Sequence, residues 1–182
     1  MSIYDPFQAI DGFSSAGEGV ALCGYMSNPY DSTTAQALVK DGQVIYSGIA
    51  VEIKNNSKQS SVYEGRMPDG LEIDKVADTK VDGFVLESEA MELENGKSIA
   101  PAGSVVQIAL FGSGVRTFLP CETDLSGVNL SGKVYYNKTN KTLTATNGGN
   151  IETPLKIVGS AIKGKKRTET GWADCNCIEV QF

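Results

Sequence analysis

The chain has 182 residues, of which 41% are hydrophobic and 21% charged, and its net charge is −6. That composition is ordinary for a folded globular protein, enough for one sizeable β domain or two small ones, so disorder is not its default state. The acidic balance repels phosphate backbones and anionic lipid, and no run approaches the roughly 18 apolar residues of a membrane span, so neither nucleic acid nor a membrane is an expected partner.

At the N-terminus, Met1 to Phe13 shows no basic stretch followed by an apolar core. It does not read as a signal peptide, and the chain is expected to stay in the cytosol where it is made or to be assembled there into something larger. Residues 1 to about 35 carry Tyr4, Phe7, Phe13, Tyr25 and Tyr30 at irregular intervals among Gly, Ser, Asn and Pro. They follow neither the helical nor the strand period, so they build no core of their own. The expectation is an extended arm, laid across its own domain or into a neighbouring molecule, where spaced aromatics make good anchors. In the second case the arm orders only on binding.

From Ala35 onward the pattern is β. Gly42 to Tyr46 opens a predicted strand that runs through Ile49, Val51 and Ile53, alternating with Ala50, Glu52 and Lys54 around one buried face. A polar loop over Asn55–Ser61 and a turn at Met67-Pro68-Asp69-Gly70 follow. Val81–Leu86 is the next strand, broken by Gly83, and Glu87–Leu93 has room for one helical turn. Asn95-Gly96 and Pro101-Ala102-Gly103 lead into a predicted hairpin, Val105–Leu119, turning at Gly112-Ser113-Gly114. Strands are then expected at Lys133–Tyr136, Thr142–Thr146, Leu155–Ile162 and Ile178–Phe182, with turns at Asn137–Lys141 and Asn147–Asn150. The predicted fold class is therefore all-β, an antiparallel barrel or sandwich with an extended N-terminal arm and little helix. The arm covers residues 1–35 and the β part residues 36–182; if the β part divides in two, the boundary falls near 94–103 or 120–130. Gly42-x-Val44-x-Tyr46 and Gly132-x-Val134-x-Tyr136 echo each other, as do Lys80–Gly83 and Lys156–Gly159, a faint signal of duplication.

The residues that carry chemistry are few. Histidine is absent, and with it the usual base for a Ser or Cys nucleophile and the usual ligand of catalytic metals. Gly112-Ser113-Gly114 sits between two strand-like runs, not between a strand and a helix, so it is no nucleophile elbow. Carboxylates are plentiful, yet no motif pairs them for glycoside hydrolysis. Of the four cysteines, Cys175 and Cys177 are too close for a zinc knuckle and point the same way along a strand, while Cys23 and Cys121 are distant in sequence. Reduced thiols with no metal and no cofactor are expected, and the protein is expected not to be an enzyme. Lys163, Lys165, Lys166 and Arg167 form the one basic cluster, read either as a solvated hairpin loop or as a contact for an acidic partner surface.

Near the C-terminus stand Gly-Lys-Val-Tyr-Tyr, a polar turn, Leu-Thr-Ala-Thr, Gly-Gly, Pro-Leu-Lys-Ile-Val-Gly-Ser-Ala-Ile and a final β strand. This order resembles the small capsid cement or head-decoration proteins of tailed bacteriophages, over residues 120–182 well and over 40–110 loosely. The resemblance implies a β-barrel or sandwich that binds the outer surface of an assembled capsid and stabilises it by bridging capsomers. Its partners would be the major capsid protein and further copies of itself, often as trimers. It would be located on the virion, after synthesis in the host cytoplasm. The resemblance carries over no catalytic residues. The candidate partner-binding residues are Tyr4, Phe7, Phe13, Tyr25 and Tyr30 in the arm, with Lys163, Lys165, Lys166 and Arg167. The alternative is a receptor- or carbohydrate-binding β module of a phage fibre or bacterial adhesin, in which Trp172, Tyr135 and Tyr136 would stack on a sugar ring.

Overall fold

The computed structural model describes residues 21–28, 32–40, 42–55, 70–87, 99–123, 125 and 132–182. These form thirteen strands: β1 (Ala21–Leu22), β2 (Ala35–Val39), β3 (Ala50–Asn55), β4 (Leu71–Val76), β5 (Gly83–Val85), β6 (Val105–Leu110), β7 (Arg116–Cys121), β8 (Val134–Asn137), β9 (Thr142–Thr144), β10 (Ile151–Thr153), β11 (Lys156–Ile157), β12 (Ile162–Thr168) and β13 (Gly171–Gln181). No α-helix occurs among the described residues, and the protein is all-β. Residues 56–61 and 67–69 of the predicted turns and 88–93 of the ambiguous stretch lie outside the described residues.

Two bodies share the strands. β2, β4, β3, β5 and β6 close into a five-stranded barrel, sealed by the antiparallel pairing of β6 with β2. The other eight strands make one sheet, ordered β1-β12-β13-β7-β9-β8-β10 with β11 also on β13. Most pairings are antiparallel, but β2–β4, β1–β12 and β7–β9 run parallel. The chain passes from barrel to sheet at residues 111–115, between the two boundaries considered from sequence.

Four expectations change in three dimensions. The strand expected from Gly42 begins only at Ala50; before it, Ile45 makes a single bridge to Ala100, and Gly42 and Gly48 take left-handed conformations that turn the chain. The echo with residues 132–136 therefore has no structural counterpart, since only the second copy is a strand. Alternation around one buried face also fails, because Ala50, Val51 and Glu52 are all buried. β3 is covered on both sides: Val51 joins the barrel interior with Ile73, Val85 and Ile108, while Ala50 joins Phe84 and Ala109 against the sheet. The Val105–Leu119 segment is not a hairpin, because β6 pairs within the barrel and β7 within the sheet. Gly112 and Gly114, with φ of 83° and 74°, supply the left-handed turns for this crossing. Finally, Lys163–Arg167, read as a loop, lies within β12, the first arm of a long β12–β13 hairpin.

The seam between the bodies is aromatic. Phe84 is flanked in register by Ala50 on β3 and Ala109 on β6, whose small side chains let it project onto the sheet. There its ring meets Tyr136 edge-on at 5.7 Å and Phe182 at 5.5 Å, and Phe182 in turn stacks on Phe111 at 5.8 Å. Such pairs add roughly 0.5–1.5 kcal/mol each beyond the area they bury. Leu119, Leu143, Ile178 and Val180 complete the sheet side of this core.

A buried carboxylate fixes the turn after β4. Glu52 Oε1 accepts from the backbone N–H groups of Asp78, Thr79 and Lys80 and from the Thr79 hydroxyl, at 2.6–3.2 Å. Burial alone would raise its pKa, but these donors outweigh it and bring the group down to about 2. Its folded pKa lies below its unfolded one, so its contribution is fully present above the ordinary glutamate range and is lost as pH falls toward 2. In urea titrations between pH 6 and 2, Glu52→Gln should reduce stability at pH 6 and flatten its fall with acid. A variant with the same acid slope as the parent would remove Glu52 as the cause.

Candidate partner-binding site

Of the arm residues singled out from sequence, Tyr4, Phe7, Phe13 and Tyr30 lie outside the described residues. Tyr25 is half-buried, its carbonyl accepts from Thr117 Oγ1 at 2.7 Å, and burial raises its phenol pKa, with the Glu87 charge adding to the shift. Residues 21–28 are stitched into the sheet. Ala21 and Leu22 pair with Gly164 and Lys165. Beyond them Cys23 N–H donates to Lys165 O and Gly24 N–H to Phe118 O, each at 2.9 Å, and Asn28 Nδ2 donates to Gly114 O at 2.9 Å. The stretch lacks an apolar period because backbone hydrogen bonds and the Asn28 amide, more than a hydrophobic face, attach it.

The basic cluster is a cross-strand ladder. Lys163 Nζ donates to Asn176 Oδ1 and Lys165 Nζ to Asp174 Oδ1, each at 2.9 Å across the β12–β13 register. Arg167 lies over the Trp172 ring at 4.7 Å and clasps Glu87 through both ends of its guanidinium, Nε to Oε2 at 2.8 Å and Nη2 to Oε1 at 2.6 Å. Lys166 points to the opposite face from Lys163, Lys165 and Arg167 by strand alternation. Sequence reasoning assigned Arg167 to a partner, whereas the fold engages it internally.

That ion pair is a clamp. The side chains of Arg167 and Glu87 are only 14% and 7% exposed. Glu87 Oε2 also accepts from Ser47 Oγ at 2.6 Å, and Glu87 N–H donates to Gly24 O. Glu87 thus joins β12 and the Ser47 segment through its carboxylate, and the N-terminal segment at Gly24 through its backbone N–H. Removing one partner of such a pair strands a charge out of water, at about 3–5 kcal/mol, whereas replacing both by apolar groups is often neutral. In urea unfolding Glu87→Ala should show that loss, and Glu87→Leu combined with Arg167→Met should recover most of it. Equal losses in the two variants would mean that packing, not the stranded charge, dominates.

Three thiols gather on the other face of the same hairpin. Cys23 Sγ lies 3.9 Å from Cys175 Sγ, and Cys177 packs beside them. Gly164 makes the space, because a Cβ there would overlap the Cys177 sulfur and the Ala21 carbonyl oxygen. All four cysteines are free thiols, and Cys121 sits apart in the seam core. Hydrogen bonds from Cys177 and Cys23 pull the Cys175 thiol well down; the reciprocal bond pushes Cys177 up to about 12, and burial raises Cys23. Among the described residues no group of three or more Cys, Asp or Glu is arranged to hold a metal ion. The sequence shows the Cys175–Cys177 pair, but Cys23 joins it from 152 residues away, which no local spacing reveals. In timed iodoacetamide labelling at pH 7 with peptide mapping, Cys175 should react first, and Cys23 and Cys177 at least tenfold more slowly. Equal rates would show that the three thiols do not share a proton in this way.

The three rings proposed to hold a sugar do not come together on the surface. Tyr135 and Tyr136 are buried, at 8% and 1% exposure, because β8 is covered on both faces; Trp172 alone is open, at 37%. Comparison with protein-family models, with curated proteins and with solved structures finds no significant match to this chain.

Proposed function

We propose that this protein is a non-enzymatic capsid cement or decoration protein of the tailed-phage kind, bridging subunits on the outside of an assembled shell. The observation that carries the reading is where the N-terminal segment joins the body. β1 lies parallel to β12, so the chain bearing Tyr4, Phe7 and Phe13 meets the sheet beside Lys163, Lys165 and Lys166. The chain thus enters the sheet at Ala21 beside a cationic strand, and the aromatic residues that precede it in sequence would add apolar anchors to that polar rim, the combination protein interfaces use. The C-terminal segments that carry the family resemblance, β8, β9, β11 and β13, belong to this same sheet. Its partners are the major capsid protein and further copies of the chain, and many copies sharing a seam strengthen attachment by multivalency. The receptor- or carbohydrate-binding alternative loses two of its three stacking rings to the core.

The test is co-sedimentation with capsids of the protein's own source. Desolvated aromatic anchors cost about 2 kcal/mol or more when truncated, whereas exposed ion pairs are worth about 0–1. Phe7→Ala with Phe13→Ala should therefore weaken attachment at least about 30-fold, while roughly half-molar salt leaves most of it in place, since salt screens only the exposed charges. Retention of the double variant combined with stripping by salt would show attachment to be electrostatic. No co-sedimentation of the parent protein with any form of the capsid would end the cement reading.

A further inference from the structure

Where the sheet meets the barrel, a cleft of about 60 Å³ opens, lined by Tyr46, Ser47, Gly48, Asn140, Lys141, Lys166, Arg167 and Thr168 among others. Three of those side chains are cations in a chain whose net charge is −6. Arg167 is neutralised by Glu87, whereas the Lys166 side chain makes no ion pair or hydrogen bond among the described residues, its charge acting on the Cys175 thiol beside it. Lys141 reaches across the seam, its Nζ donating to the Tyr46 hydroxyl at 3.2 Å and lying 5.4 Å from that ring's centre.

The backbone at Lys141 is the second sign. With φ of 56° it is the one non-glycine residue in the left-handed region among the described residues. That conformation costs a side-chain-bearing residue roughly 1–2 kcal/mol, and such strain concentrates at binding sites. The turn that imposes it is built in advance: Glu122 Oε1 accepts from Asn137 Nδ2, Asn140 Nδ2 and Thr142 Oγ1 at 2.9–3.1 Å, and Lys141 N–H donates to Asn137 O.

We propose that this cleft binds a single oxyanion group, a carboxylate or a phosphate, between Lys141 and Lys166. Charge decides the class. Lys141, Lys166 and Arg167 line the cleft and, among the described residues, no carboxylate does, so its field favours an anion. Of the neutral groups in the lining, the Asn140 amide donates one hydrogen to Glu122 and keeps a second for the anion, whereas the Ser47 and Thr168 hydroxyls are engaged with Glu87 and the Gly171 carbonyl. Lys166 is shared with the proposed attachment edge but Lys141 is not, so Lys141→Asn separates failure of this site from failure of the cement reading.

The experiment is an amide chemical-shift titration of the full chain with sodium acetate and, separately, inorganic phosphate, against sodium chloride at matched ionic strength. Saturable shifts at Gly48, Lys141 and Thr168 with acetate or phosphate, absent with chloride, are expected. Lys166→Gln and Lys141→Asn, the latter a residue that tolerates the left-handed backbone, should each weaken binding about tenfold without altering the remaining spectrum. Response to acetate alone assigns the site to a carboxylate, and response to phosphate alone to a phosphate. Non-saturating shifts that follow ionic strength, or unchanged affinity in both variants, would overturn the proposal.

Discussion

Phe84 stands where the two β bodies meet, and its surroundings show why they hold together. Its cross-strand neighbours are alanines on both sides, so one large ring projects from a locally flat patch of the barrel. The sheet receives it between Tyr136 and Phe182, with Phe111 beyond. β3 and β5 thereby have one face inside the barrel and the other in the seam, and Ala50-Val51-Glu52 and Gly83-Phe84-Val85 are buried in succession. The buried carboxylate is tolerated in β3 because three backbone donors, the Thr79 hydroxyl and the Lys75 ammonium meet it.

Polar interactions at the rim of the seam align what the aromatic core holds. The Arg167–Glu87 pair, with Ser47 and Gly24, gathers β12, the barrel and the N-terminal strand at one point. Lys138 donates to Asp78 Oδ1 at 2.9 Å on the surface nearby, a weaker link because both groups are open to water. A partly buried bidentate pair gives a defined geometry, whereas exposed pairs mainly keep the surface soluble. An acidic protein can therefore present a strand of cations without repelling itself, since Lys163, Lys165 and Arg167 each face an oxygen within the fold.

β12 unites the candidate functions. One of its faces carries the cation ladder; the other carries Gly164 and the space filled by three cysteines, and its edge receives β1. Where the N-terminal segment joins the body is thus fixed by a glycine in β12, by the carbonyl of Lys165 and by the backbone N–H of Glu87. The cleft at Lys141 and Lys166 lies at the end of the same strand, against the barrel.

By itself the sequence determines that the protein is all-β and where most C-terminal strands and turns fall. Period-two patterns and Asn-Gly turns are local properties, readable without knowing what packs on what. It also shows the basic cluster, the Cys175–Cys177 pair and the aromatic N-terminal stretch as chemical features. Tertiary structure decides what those features do. Partition of the strands between barrel and sheet depends on pairings across the chain, so Gly112-Ser113-Gly114 looks like a hairpin turn and is a crossing. The strands β2 and β4 pass unnoticed because only Ala37, Val39 and Ile73 in them are fully buried, which leaves a faint apolar pattern. Arg167 becomes a clamp because Glu87, 80 residues away, is brought to it. Tyr136 leaves the surface because Phe84 of the barrel packs on its face of the sheet. Cys23 meets Cys175 because β1 and β13 flank the same strand, where a glycine leaves room for sulfur.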